Sequence, residues 1–366
     1  MDVTRAQVLA YRFARQGLHR DATTASDLTV LDLGIQDAGA RSPRVALAAR
    51  LPEGTALDDD SLTTVWAHRG APHLLRRTDL AALAKALWPR TDADAITRLG
   101  ASGRSFKQAG VSGLTAYTTA ATALRDVVDT EKSRGQVSTE ITARLPAPYS
   151  YDCTVCKATH IYGSLFQLIG LAAGVEVHAE SRPTTLTPLT PRHPVPDSPG
   201  DPTPVIENYL HLHGPAGPGE AAGFLETTQT QAKPAWPTDL VEVTVERKTR
   251  HLHERDLPDL RTPPTPDLVR LIPPLDPLLQ ARDRELLVPD EARRKSLWRM
   301  ISNPGAILAG GEIAGIWRTK AAGKRLEVTV EPFEKLSTAV RKKVEQEAQV
   351  VAAARAFTEA RVTIPA

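Results

Sequence analysis

Apolar positions recur at helical spacing from the start of the chain. In VTRAQVLAYRFARQGL, residues 3–18, Val8, Leu9, Tyr11, Phe13 and Leu18 fall largely on one side, and Gly17 marks a stop. This predicts a half-buried opening helix. After the polar stretch DATTASD comes the strand-like or short apolar run LTVLDLGIQ, and then a second helical pattern, RVALAARL, ended by Pro52 and Gly54. SLTTVWAHRG and APHLLRRTDLAALAKALWP read as a short strand or turn, a β-like return, and a helix from about Asp79 to Trp88. Helices followed by a β-like pair in so short a stretch have the rhythm of a winged helix.

The rhythm recurs. Residues 114–132 form a long helical pattern, QVSTEITARL a short one, and THIYGSLFQLIGLAAGVEV a third that runs into a strand after Gly174. Residues 181–204 carry a dense set of prolines and read as a linker, because proline breaks both helices and sheet ladders. VIENYLHLHG and GEAAGFLETT follow as helices, then LVEVTVERKTRHLHE as two strands round a charged tip. From about residue 263 the alternation in AILAGGEIAGIWRT and KRLEVTVEPF predicts paired strands, and an Ala- and charge-rich helix over roughly 337–359 closes the chain. The expected fold is α+β: winged helices at 1–90, 91–180 and 205–262, a linker at 181–204, and a β-rich domain with its closing helix at 263–366. Such a series suggests nucleic-acid binding, since a helix fits the major groove and a wing reaches the backbone; winged helices also serve as protein-contact modules.

A chain of 366 residues has room for several buried cores, and its 41% hydrophobic and 24% charged content is that of a globular protein. A formal net charge of +2 gives no strong overall field, so a polyanionic partner would have to meet a local basic surface. Two cysteines, and no cationic segment leading into an apolar one at the N-terminus, point to the reducing cytoplasm. Nothing approaches the roughly 18 consecutive apolar residues of a membrane span.

Five segments carry a resemblance. They are LDLGIQDAGARSPRVALAARL, TVWAHRGAPHLLRRTDL, YDCTVCKATHIYGSLFQL, LIPPLDPLLQARDRELLVPD and GEIAGIWRTKAAGKRLEVTVEPF, and in this order they resemble the winged-helix DNA glycosylases of the AlkZ and YcaQ type. The resemblance implies tandem winged helices in a C-shaped arrangement with a C-terminal β-rich domain, holding double-stranded DNA in a concave channel. It also implies excision of guanines alkylated at N7, unhooking of interstrand crosslinks by some members, and a role in bacterial repair or antibiotic self-resistance. The family's catalytic signature is Gln, a hydrophobic residue, then Gln or Asp. Here the matching triplet is Gln36, Asp37 and Ala38, with the carboxylate moved to the middle and the third polar group lost.

The implied chemistry suits Gln36 and Asp37. An N7-alkylated guanine is already a cationic leaving group, so the enzyme mainly stabilises an oxocarbenium-like sugar and positions a water. A carboxylate offsets the sugar's developing charge, and the Gln amide can hold the water through its oxygen. Neighbours on a strand face opposite ways, so both can address one sugar only from a turn, which Ala38, Gly39 and Ala40 favour. Alternatively Asp37 caps the next helix.

DNA-contact candidates are Arg69 and His73, in the irregular stretch around Gly70 and Pro72; Arg104 and Lys107, in the glycine-rich loop read over 100–113; and Arg247 and Lys248, at the tip of the later strand pair. Against these stand a buried His73, a flexible surface loop and a solvated wing. Asp276 and Asp283 with Arg282 and Arg284 read as a structural ion-pair network or domain contact, not as a second active site. Cys153, Cys156 and His160 give three possible metal ligands, but a structural zinc needs a fourth and the nearest in sequence, His178, lies beyond a predicted helix, so reduced thiols are expected. No metal or cofactor and a monomeric state are expected. The alternative to a glycosylase is a non-catalytic tandem winged-helix protein that binds DNA or recognises damage.

Overall fold

A computed structural model of the chain describes residues 1–364. It is an α+β protein that divides into two compact units: residues 1–60, 207–220 and 237–366 form one, and residues 61–206 and 221–236 the other.

The first unit opens with the helix Arg5–Arg15, started by a reciprocal cap in which Thr4 and Gln7 satisfy one another's backbone N–H groups. Its larger sheet is built from Val269–Ile272, Gly305–Ala309, Glu312–Ala322, Arg325–Pro332 and Glu359–Thr363, paired in that order. The helix Thr338–Ala354 packs Val344, Ala348 and Val351 on the sheet's Ile307, Leu326 and Val328. It ends earlier than the periodicity predicts because residues 359–363 leave it to become the fifth strand. A smaller sheet joins Asp2–Val3 in parallel to the hairpin Leu240–Val245 and Lys248–His253.

Two fully buried arginines lock this unit. Arg12 reaches Asp283 at 2.7 Å, with Arg250 on the same carboxylate at 3.1 Å, and Arg50 holds Asp276 at 2.7 Å. The expected ion-pair network therefore exists, with different cations: its partners come from distant segments, not from the adjacent Arg282 and Arg284. A buried carboxylate needs buried cations, and the sequence neighbours do not provide them.

In the second unit an antiparallel sheet runs through Pro72–Arg76, Leu62–Trp66, Val175–His178, Thr185–Pro188 and Lys132–Ser133. Helices Gly113–Val127, Arg134–Arg144 and Gly163–Leu168 bury Tyr117, Leu124, Ile141 and Phe166 in a core shared with Trp66. The proline-rich stretch carries one of the strands, with Leu186 fully buried, and Gly200 N–H donates to the carbonyl of Lys85 at 2.8 Å. Proline admits a short strand here, and a helix only where Pro204 stands in the first turn of Thr203–His213.

The predicted glycine-rich loop is largely helical. Ala101–Gln108 is a helix, and Gly103 and Gly113 serve close packing: a Cβ on Gly103 would lie 2.6 Å from the carbonyl of Ile96, and one on Gly113 2.6 Å from the Cβ of Ala95. The predicted helix around THIYG begins instead with the strand Ala158–Ile161, hairpin partner of Ser150–Cys153.

Candidate functional site

The apolar run before Gln36 folds as the 3-10 turn Thr29–Asp32 and the two-residue strand Ile35–Gln36. The chain then passes through Gly39, Ala40 and Arg41 at φ of +82°, +51° and +59°, and enters the helix Ser42–Ala48. Two of these three residues carry a Cβ, and each such left-handed position costs about 1–3 kcal/mol that neighbouring contacts must offset. The contacts are present. Asp37 Oδ1 accepts from the N–H of Gly39 at 2.7 Å and from the Ser42 hydroxyl at 3.2 Å, while Ser42 Oγ accepts from the N–H of Ala38 at 2.7 Å. Asp37 thus lies past the strand and binds the turn through one oxygen; Oδ2 has no protein partner among the described residues. Gln36 is the strand's last residue, and both side chains are half-buried.

The turn borders a cavity of about 240 Å³, whose wall includes Ala38, Gly39, Ser42, Arg318, Thr319 and Arg355. Arg355 donates to Thr319 Oγ1 at 2.5 Å, and burial lowers its pKa from the ordinary value. Arg318 donates to the carbonyl of Ser302 at 3.1 Å. Beneath them Trp317 donates through Nε1 to the carbonyls of Ile272 and Ala306 at 2.9 and 3.1 Å, which fixes this part of the sheet. Two guanidinium groups facing a polar turn suit a phosphate or the acceptor edge of a base. Sequence reasoning missed these residues. Arg318 and Thr319 stand in a stretch that carried the resemblance, whereas Arg355, at the end of a helix, gave no signal.

In the second unit, Arg69 and His73 come together. Arg69 has φ of +60° in the tight turn His68–Gly70, its guanidinium lies over the Phe224 ring at 5.3 Å, and it donates to the Phe224 carbonyl at 3.4 Å. Gly70 is required at its place, since it has φ of +66° and a Cβ would approach Gln167 Cβ to 3.0 Å. His73 is 2% exposed, with Nδ1 2.8 Å from the carbonyl of Ala71. Burial, and then the neighbouring Arg69, push its pKa down to about 3. The imidazole is neutral, donates to that carbonyl, and is close enough to Arg69 to feel its charge; it does not reach solvent.

Arg104 and Lys107 are exposed, three residues apart on one helix, and neither has a protein partner among the described residues. Glu246 and Arg247, at φ of +47° and +65°, form the two-residue tip of the hairpin, and Arg247 is exposed. Lys248 is paired with Glu285 at 2.5 Å, across two exposed side chains. An anion at this tip would meet Arg247 first. Gln36, Asp37, Arg247 and Lys248 belong to the first unit; Arg69, His73, Arg104 and Lys107 belong to the second.

A family model described as DNA glycosylase AlkZ-like matches residues 26–354. The solved structure of Streptomyces sahachiroi DNA glycosylase AlkZ is similar in fold, with a TM-score of 0.75 and 21% sequence identity over 100% of both chains. Among curated proteins no match is found. The resemblance read from the five segments and the α+β class are both borne out.

Proposed function

The chain belongs to the AlkZ-like DNA glycosylase family, and from that membership we propose that it hydrolyses the N-glycosidic bond of N7-alkylated guanine in duplex DNA. One observation carries the assignment of the site: Gln36 and Asp37 stand at a strained, hydrogen-bonded turn beside a cavity walled by Arg318 and Arg355. Strain of this kind accumulates where a side chain must be held in a set position.

In this reading the leaving base is cationic from the outset, so no strong general acid is needed. The Gln36 amide oxygen holds the attacking water. Asp37 Oδ2, the oxygen not bound to the turn, offsets charge on the sugar and takes the proton from that water. The reaction releases the base and leaves an abasic site without strand cleavage, the outcome of a monofunctional enzyme. Arg69, Arg104, Lys107 and Arg247 neutralise phosphates of the duplex, on a tandem winged-helix framework in a monomeric, cytoplasmic repair enzyme. Larger N7 adducts, including one strand of an interstrand crosslink, fall within the same chemistry.

The test is abasic-site formation on a duplex with a single N7-methylguanine, comparing wild type, Gln36→Ala and Asp37→Asn. The reading expects release by wild type and loss of release with retained DNA binding in Gln36→Ala. Release that persists in both variants would remove the pair from the chemistry. A second reading, DNA binding without catalysis, is favoured by Ala38 in the third signature position and by the bonds that commit Asp37 Oδ1 to the turn. Duplex binding without base release from N7-methyl or bulkier adducts would select it.

A further inference from the structure

The hairpin Ser150–Cys153 and Ala158–Ile161 has no role in the chemistry above, and its tip gathers three metal-ligand side chains. Donor atoms of Cys153, Cys156 and His160 all lie within 4.8 Å of one another. The strand register explains why. Cys153 is opposite Ala158 and Tyr151 is opposite His160, so Cys153 and His160 are diagonal neighbours on one face of the ribbon. Lys157, at φ of +52°, turns the chain back and brings Cys156 over them, with its N–H donating to Cys153 Sγ at 3.5 Å.

Two further observations point to a ligand. His160 Nε2 is buried with no hydrogen-bond partner among the described residues, an orientation that costs free energy unless something else binds the nitrogen. The donor separations, none above 4.8 Å, also exceed by at most about an ångström the roughly 3.7 Å edge of a tetrahedron with zinc–sulfur and zinc–nitrogen bonds of about 2.3 and 2.0 Å. Small rotamer changes close that gap.

We propose that Cys153, Cys156 and His160 bind one thiophilic divalent cation, zinc, with solvent as the fourth ligand. Among the described residues no further Cys, His, Asp or Glu joins the cluster to supply that fourth position. Asp152 is on the other face of the ribbon, where it accepts from the Thr159 hydroxyl at 2.7 Å, and His178 Nε2 is 2.9 Å from the Thr187 hydroxyl. Cys156 is exposed, so water has access. The cation would staple a two-stranded hairpin of a kind that is marginal by itself.

The experiment is titration of the chelator-stripped, fully reduced protein with Co²⁺, followed by thiolate-to-cobalt charge-transfer absorption, then displacement with Zn²⁺. The site predicts saturation at one equivalent and displacement by zinc. Cys156→Ser and His160→Asn are each expected to weaken binding by more than the roughly 10–100-fold that loss of an outer-shell partner costs, while Asp152→Asn binds as wild type. Absence of the absorption at excess cobalt, or unchanged affinity in either ligand variant, overturns the site. A second readout needs no substitution: zinc is expected to protect both cysteines of the wild-type protein from iodoacetamide, and equal labelling with and without zinc overturns the proposal.

Discussion

Lowering the pH from 7 to 5 protonates histidines in the unfolded chain but leaves His73 neutral in the folded one. An unfolded histidine titrates near 6.5, whereas the buried His73, beside Arg69, is held at about 3. Between those values the unfolded state takes up a proton that the folded state refuses. The stability that His73 confers is therefore complete above about pH 7, begins to fall as pH drops through 6.5, and declines until about 3. At pH 5, about 1.5 units below the unfolded value, the loss is about 2 kcal/mol at roughly 1.36 kcal/mol per unit. His73→Gln isolates this effect, because an amide N–H still donates to the carbonyl of Ala71 but does not titrate. The assay is urea unfolding of both proteins at pH 7 and pH 5. Any packing cost of the substitution is independent of pH and cancels between the two conditions. His213, also pushed to about 3 by burial and then Arg12, contributes equally to both proteins and cancels as well. Wild type is expected to lose about 2 kcal/mol more than the variant. Equal losses would refute the argument that His73 is a neutral, buried imidazole beside Arg69.

Asp283→Asn, which leaves Arg12 and Arg250 buried without their carboxylate, is expected to cost about 3–5 kcal/mol in denaturant unfolding; a loss under about 1 kcal/mol would mean that water replaces it. Arg104→Glu and Lys107→Glu are each expected to weaken duplex binding at low salt and to reduce the slope of log K against log salt by about one. Unchanged slopes would place that helix face away from DNA. Ser42→Ala removes the acceptor for the N–H of Ala38; a cost of about 1 kcal/mol in stability with slower base release is expected, and full activity would mean that the turn survives without it.

Long periodic segments were legible in the sequence. The opening helix, the helices at 113–127 and 134–144, the hairpin at 240–253 and the paired strands at 305–332 all follow their apolar spacing. Glycine and proline misled where their role depends on tertiary contacts. Gly103 and Gly113 looked like loop residues but sit where helices approach within Cβ distance, and Leu186 makes a core strand out of a proline-rich stretch. Gln36 and Asp37 were found through the resemblance, and the turn was anticipated from the small residues after them. Arg318 and Arg355, like the arginines that pair with Asp276 and Asp283, come from remote segments, and no local pattern encodes which distant cation meets which site.

The turn also decides which substitution can speak about mechanism. Asp37 has two separable functions, since Oδ1 accepts both turn hydrogen bonds while Oδ2 carries the charge proposed to face the sugar. Asp37→Ala would remove both at once, and the strain at Ala40 and Arg41 would then be released into a different loop. An asparagine keeps a carbonyl oxygen where Oδ1 stands and can retain the bonds from Gly39 and Ser42, while losing only the negative charge. Loss of base release in Asp37→Asn with unchanged stability thus assigns the electrostatic role to the carboxylate. Loss of both assigns Asp37 to the turn and leaves Gln36 as the group that holds the water.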